Sequence, residues 1–272
     1  MPPTYPAFKP VAAAVALTAA SSFPGSGAMA SDASPNPWAA NLSLYMWLPG
    51  VDGDFSAGPF NKSVDASFID IAGKLRNFPL AFMGRFEVHY ERLGFYLDGN
   101  YMDLDFKPRF DQGISKGLSS RLGIMEYGAT YRVFGPAASE RIARWSEKSH
   151  SNLLDLYAGG RTFWLDNQIE FKGIGSAAAS KSFTTPVVGG RFAVEFTPAW
   201  FVLVDGNVGG FGVDDVEFAA SVLGTVGYRT TLFGMPALVE AGYKALHLEV
   251  SKQIIDSDVT MNGPFIGLTG YW

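Results

Sequence analysis

Between Phe78 and Tyr90 the chain separates two kinds of side chain by parity. Phe78, Leu80, Phe82, Phe86, Val88 and Tyr90 fall on one parity, and Arg85, Glu87 and His89 on the other. An imidazole two residues from a carboxylate has the makings of an oriented general base. A guanidinium on the same side could pair with that carboxylate or hold an anion. Ionisable residues recur in the same way within later alternating stretches: Asp98, Glu126, Arg132, Asp155, Arg161, Arg191, Glu195, Asp205, Arg229, Glu240 and Lys244. Both signs interleave, so this set can form ion pairs, line a polar passage or surround a small solute. Neighbouring strands would set Arg132 beside Asp155, Arg191 and Glu195 near Asp205, and Arg229 opposite Glu240 across a tight turn.

Other chemistry is weakly represented. His89 is the one worthwhile base for a hydrolase, flanked by Glu87 and Glu91, but no G-x-S-x-G or comparable nucleophile context accompanies it. His150 falls in a long polar connection, and His247 belongs to a strand whose facing is ambiguous. Three histidines with no cysteine show no metal-ligand spacing, so neither a metal nor another cofactor is expected. The glycine pairs Gly159-Gly160 and Gly209-Gly210 are followed by no helix, which a phosphate loop requires. Asp103, Asp105 and Asp111 could gather a divalent cation or bridge through one to lipopolysaccharide, but loop carboxylates are ordinarily just solvated.

The elements that must carry these charges are strands. Residues 1–30 read as an export signal: Lys9 is their only charge, Val11 to Ala20 is an apolar run too short to span a bilayer, and Ala28-Met29-Ala30 is a small-x-small cleavage site. The 31–272 remainder then carries 20 basic and 26 acidic residues, net -6, which gives no support to nucleic-acid binding. Its hydrophobic content comes in alternating stretches, and the last nine residues, Pro264 to Trp272, form an alternating strand that ends on an aromatic. Outer-membrane barrels need that period of two, because lipid-facing and lumen-facing side chains alternate along every strand. The expected fold is therefore all-β, a single antiparallel transmembrane β-barrel of ten to twelve strands in the outer membrane.

Candidate strands run over 38–47, 78–90, 93–106, 118–134, 152–168, 181–197, 200–212, 215–233, 236–251 and 259–272. Joints at Glu91 to Gly94, Thr197 to Trp200 and Phe233 to Pro236 read as tight turns, and those near 107–117, 167–180 and 252–258 as longer connections. Residues 135–150, with Glu140, Arg141, Arg144, Trp145, Glu147 and Lys148, are too long and charged for a tight turn. Residues 49–77 contain a possible strand at Val64 to Ile71 and a possible short helix at Ile69 to Leu75, and so form either a hairpin that makes twelve strands or a lid or plug. Trp38, Trp47, Trp164, Trp200 and Trp272 lie near strand ends, as an interfacial girdle would place them.

Several segments carry a resemblance: Leu44-Tyr45-Met46-Trp47-Leu48-Pro49-Gly50-Val51-Asp52-Gly53, Pro186 to Arg191, Asp205 to Val213, Gly227-Tyr228-Arg229, Ala241 to Lys244 and Gly263 to Leu268. Together they resemble a family of largely uncharacterised outer-membrane β-barrel proteins of Gram-negative bacteria, over almost the whole of 31–272. The resemblance implies the fold and location but supplies no substrate or catalytic residue. Gly270 stands where closing strands often place a large apolar residue, and Asn207 where a charge is expected.

If the apolar parity faces lipid, the charged set points into the lumen. One reading is a narrow pore or passive conduit for small polar solutes. The alternative is a non-conducting structural or surface-interaction barrel whose lumen is closed by paired charges, and a third is an outer-membrane lipid hydrolase. Expected partners are outer-membrane lipid, lipopolysaccharide and the barrel-assembly machinery.

Overall fold

The computed structural model describes residues 36–57, 60–66, 83–106, 115–145, 152–171, 175–252 and 255–272. The segment expected to be an export signal lies outside them, as do the proposed helix at 69–75 and the first part of the 78–90 strand. The strands are β1 (Trp38–Trp47), β2 (Gly50–Ala57), β3 (Phe60–Ala66), β4 (Met83–Tyr90), β5 (Leu93–Phe106), β6 (Ser115–Phe134), β7 (Leu153–Phe171), β8 (Gly175–Glu195), β9 (Trp200–Val213), β10 (Val216–Leu232), β11 (Met235–Lys252) and β12 (Ile255–Tyr271); helix α1 (Ala138–Ala143) separates β6 from β7.

All pairings are antiparallel; from β4 to β12 they join sequential neighbours, β1 pairs with β4 on one side, and it closes the sheet by pairing on the other with the last seven residues of β12, from Asn41↔Tyr271 to Trp47↔Phe265. Closure leaves no open edge in the bilayer, where unpaired backbone groups would be costly. Beyond a break at Leu48-Pro49, β2 continues along the same edge of β12, from Asn262↔Gly50 to Ile255↔Ala57, and β3 folds back on β2. The 49–77 segment thus supplies a hairpin without producing twelve barrel positions. β1 and β2 share one position, so the barrel has ten strands and β3 is an addition. At the break, Leu48 N donates to Pro264 O, and a side chain at Gly263 would lie 1.9 Å from the Leu48 carbonyl, so the sharp bend requires glycine there.

Facing follows the alternation. Phe86, Phe95, Leu97, Tyr131, Leu156, Val188, Phe192, Val204, Val226, Val239 and Ile266 are exposed outward, while their odd-parity or even-parity neighbours are buried within the barrel. A closed barrel with a continuous outward apolar surface is a membrane-spanning barrel of the outer-membrane type. Trp38, Trp164, Trp200 and Trp272 are exposed on that surface. Trp47 is not: it shares its parity with Asn41, Ser43 and Tyr45 and is buried inside at 1% exposure, which corrects its assignment to the girdle.

Connections at the two ends differ from the tight and longer ones read from the sequence. At the end carrying the described chain termini, Glu91-Arg92 and Phe233-Gly234 are two-residue turns, with Glu91, Phe233 and Gly234 at positive φ. At the opposite, far end, Asp214-Asp215 is equally tight, again with both residues at positive φ. Regions 167–180 and 252–258, expected as longer connections, are largely strand, because β7 and β8 run to Phe171 and from Gly175, and β11 and β12 to Lys252 and from Ile255. Once strands leave the bilayer both faces meet water. The backbone ladder then continues without the apolar alternation by which a strand is recognised.

Candidate functional site in the barrel lumen

Strand parity brings the charged set together inside the barrel. Glu87 is its hub. Its carboxylate accepts from Arg85 Nε at 2.5 Å, Arg191 Nη1 at 3.0 Å and Asn41 Nδ2 at 3.2 Å, and His89 Nε2 lies 3.2 Å away. Arg191 sits on β8, four strands from β4, so its contact with Glu87 crosses the lumen. Its Nε also donates to Asp205 at 3.1 Å, and Tyr157 Oη donates to the same carboxylate at 2.5 Å. Arg85 reaches Asp98 at 3.5 Å and stacks 4.3 Å from the Tyr96 ring centroid. Tyr45 Oη donates to Asp98 from β1. Arg161 donates through Nε to Glu126 at 2.9 Å and through Nη2 to Asn207 Oδ1 at 2.5 Å, while Asn207 Nδ2 donates to Tyr157 at 3.0 Å. Asn207 thus does what a carboxylate could not, accepting from a cation and donating to a phenol at once.

Nearer the termini, Arg132 holds Asp155 through two hydrogen bonds, at 2.7 and 3.0 Å, as the sequence anticipates. The expected Arg229–Glu240 pair does not form. The Phe233-Gly234 turn sets Arg229 opposite Leu238, and Glu240 opposite Gly227. Arg229 instead pairs with Glu195, and Glu240 accepts from Thr225 Oγ1 at 3.2 Å. Glu195 reaches Arg229 and α1 rather than Asp205. Lys244 has its ammonium 5.0 Å from the Trp47 ring centroid and 5.6 Å from that of Tyr45.

Three devices surround this network. The first is the described part of the 135–150 connection, residues 135–145, which turns inward rather than away. Its helix α1 packs against β1 and β4, across the barrel mouth from the β6 and β7 strands it joins. Arg132 Nη1 donates to Pro136 O at 2.8 Å, Arg141 Nη2 to Glu195 at 3.2 Å, and Trp145 Nε1 to Thr230 O at 2.9 Å. Trp145 also packs on Tyr271 with ring centroids 5.3 Å apart, and Arg229 stacks on its face at 5.1 Å. Burial pushes the Arg141 guanidinium down from its ordinary range, and the nearby cations Arg132 and Arg229 add to that effect. Arg141 and Trp145 belong to the lumen's chemistry, although strand parity could not reveal them. Their signal was a charged segment too long for its turn.

The second device is an apolar layer toward the far end. Along β6, Leu122 and Ile124 stand on the far side of Glu126 and Arg132; along β7, Phe163 lies beyond Asp155 and Arg161; along β8, Phe183 precedes Arg191; along β11, Leu246 and Leu248 follow Glu240 and Lys244. Together with Trp47, Met83, Met102, Met261 and Phe265 they form one buried cluster, in which Phe163 and Phe183 stack at 5.0 Å with exposures of 0% and 2%. The third is the network itself, with Glu87, Glu126, Arg132, Asp155, Arg161 and Glu195 all buried. Among the described residues, a cavity of about 140 Å³ runs through the network to the apolar layer and one of about 60 Å³ lies under α1. Each is wide enough to hold water molecules.

His89 is 5% exposed, and among the described residues its side-chain partner is Glu87. Gly94 on the neighbouring strand makes room for it, since a Cβ there would lie 2.4 Å from His89 Nδ1. Glu91, expected to flank the ring, occupies the left-handed turn position and is exposed. Side chains of Asp103, Asp105 and Asp111 lie outside the described residues.

No protein-family model matches the sequence, and no curated protein does. Among solved structures, the fold is similar to the outer membrane protease OmpT from Escherichia coli, with a TM-score of 0.51 and 10% identity over 88% of this chain and 98% of that one. The attachment invasion locus protein Ail of Yersinia pestis matches with a TM-score of 0.31 and 10% identity over 87% of this chain and 99% of that one. A Pseudomonas aeruginosa FadL homologue matches at 0.30 and 10%, over 87% and 90%. At such identities the OmpT match establishes the fold and nothing about chemistry.

Proposed function

We propose that the protein is a closed, non-conducting outer-membrane barrel that acts as a rigid scaffold, holding the extended far-end strands outside the bilayer for surface interaction. Of the readings open from sequence, this one gains most from the lumen. The carrying observation is that the lumen charges are bonded to one another along and across the wall: Arg132–Asp155, Arg161–Glu126 and Arg191–Asp205 join adjacent strands, Arg191 also crosses the lumen from β8 to Glu87 on β4, and Arg141 ties α1 to Glu195 on β8. A conduit needs charges separated by water. Here they are bonded to one another between an apolar layer and a helical cap.

In this reading the termini and α1 face the periplasm and the β2–β3 hairpin faces outward. The outward apolar band meets lipid and lipopolysaccharide, and the closing strand β12 engages the barrel-assembly machinery. This reading gives the scaffold no enzymatic role: His89 serves the Glu87 hub, and its side-chain partner among the described residues is that carboxylate rather than a nucleophile. Proteoliposome swelling in isotonic solutions of small sugars and amino acids tests the proposal. Vesicles carrying the folded barrel should swell no faster than empty ones, and swelling at a rate typical of porins would overturn it.

A further inference from the structure

We propose that His247, Glu249 and Asp258 form a divalent transition-metal site on the outer wall of the barrel, at the far-end border of the lipid-facing band. His247 and Glu249 are two residues apart on β11, and the ladder sets Thr260 opposite His247 and Asp258 opposite Glu249. Leu246 and Leu248 point into the apolar layer, so the intervening His247 and Glu249 point outward. One ligand atom from each of the three side chains lies within 4.8 Å of the other two. The two carboxylates already flank the imidazole, one beside each ring nitrogen: Nε2 is 3.0 Å from Glu249 Oε1 and Nδ1 is 3.5 Å from Asp258 Oδ1, so a metal on one nitrogen draws in the carboxylate beside the other. Ligand atoms on a tetrahedron with bonds of about 2.1 Å stand about 3.4 Å apart.

A second observation points to a cation. Glu249 and Asp258 are directly opposite on β11 and β12, and Asp258 is directly opposite Asp54 on β2, with Thr260 opposite Asp52 one step along. Carboxylates therefore occupy adjoining positions across three strands. Like charges facing each other on a ladder are destabilising. Among the described residues, His247 is the only basic side chain paired with Glu249 or Asp258.

The donor set selects the metal. An imidazole nitrogen with two carboxylates suits zinc and its borderline neighbours, whereas calcium takes six or more oxygens and magnesium keeps most of its water. Three protein ligands leave a fourth position open on the outer side, where the wall passes from lipid to water: on the same face Tyr243 and Val239, nearer the termini, belong to the apolar band. The sequence concealed this site because two of its ligands are neighbours on one strand and the third comes from the next. No ligand spacing along the chain marks it.

Isothermal titration of Zn²⁺ into untagged, refolded barrel in detergent tests the site, with heat-modifiable gel mobility confirming that each sample is folded. Wild type should bind a single Zn²⁺ that an equal concentration of Ca²⁺ does not displace. His247→Ala and Asp258→Asn should each weaken binding by about tenfold or more, since even outer-shell changes cost metal sites that much. His150→Ala should leave it unchanged. No saturable Zn²⁺ binding to folded wild type, or equal binding by the His247 and Asp258 variants, would overturn the proposal.

Discussion

At the scale of single residues, the lumen places charged groups where water cannot fully hydrate them, so their partners matter more than their number. Asp155 and Arg132 are 3% and 7% exposed and hold each other through two hydrogen bonds. Removing either leaves the other buried and uncompensated. Arg132→Ala and Asp155→Ala should each destabilise the barrel by about 3–5 kcal/mol, whereas a volume-matched apolar pair at both positions should cost much less. Urea unfolding in detergent micelles, followed by tryptophan fluorescence, reads the difference. The opposite face obeys a different rule. Phe86 is exposed outward, opposite Leu42 and Leu97, so Phe86→Arg should cost about 2–4 kcal/mol near the bilayer midplane while leaving the network intact. An arginine tolerated there without loss of stability in lipid would mean that this surface does not meet acyl chains.

At the scale of elements, the strands were legible because burial on one side and lipid on the other leave a period of two in the residue types. The 78–90 stretch shows this most clearly, since Arg85, Glu87 and His89 all turn inward as their parity requires. What parity cannot show is which strand a side chain reaches. Arg132 and Asp155 were legible as partners because they are cross-strand neighbours, but the Arg191–Glu87 contact spans four strands and has no sequence signature. The Arg229–Glu240 expectation failed on turn length alone, and Arg229 found Glu195 instead. Segment 135–150 was recognisable as anomalous, but the fold of α1 across the mouth rests on contacts from Arg141 and Trp145 to distant strands. Those contacts predict that replacing residues 138–145 with a flexible Gly/Ser linker leaves the barrel assembled but opens the terminal cavity to aqueous thiol reagents. A cysteine at Ala193, which lines the space under α1, should then label faster. Unchanged labelling would show that α1 is not the cap.

At the scale of the whole molecule, the described residues place three layers along the barrel: a helix at one mouth, a charge network through the middle and an apolar layer beyond it. Ten strands enclose more interior than side chains of a smaller barrel would fill, and this chain uses the surplus for long arginines, tyrosines and aromatics that meet across it. The most direct measurement is single-channel current across a planar bilayer containing the refolded wild-type protein. The closed-barrel account predicts no steady conductance at moderate voltage. Stable ohmic steps in the wild type, with a selectivity that shifts toward cations when Arg191 or Arg229 is changed to alanine, would contradict it and establish a conduit.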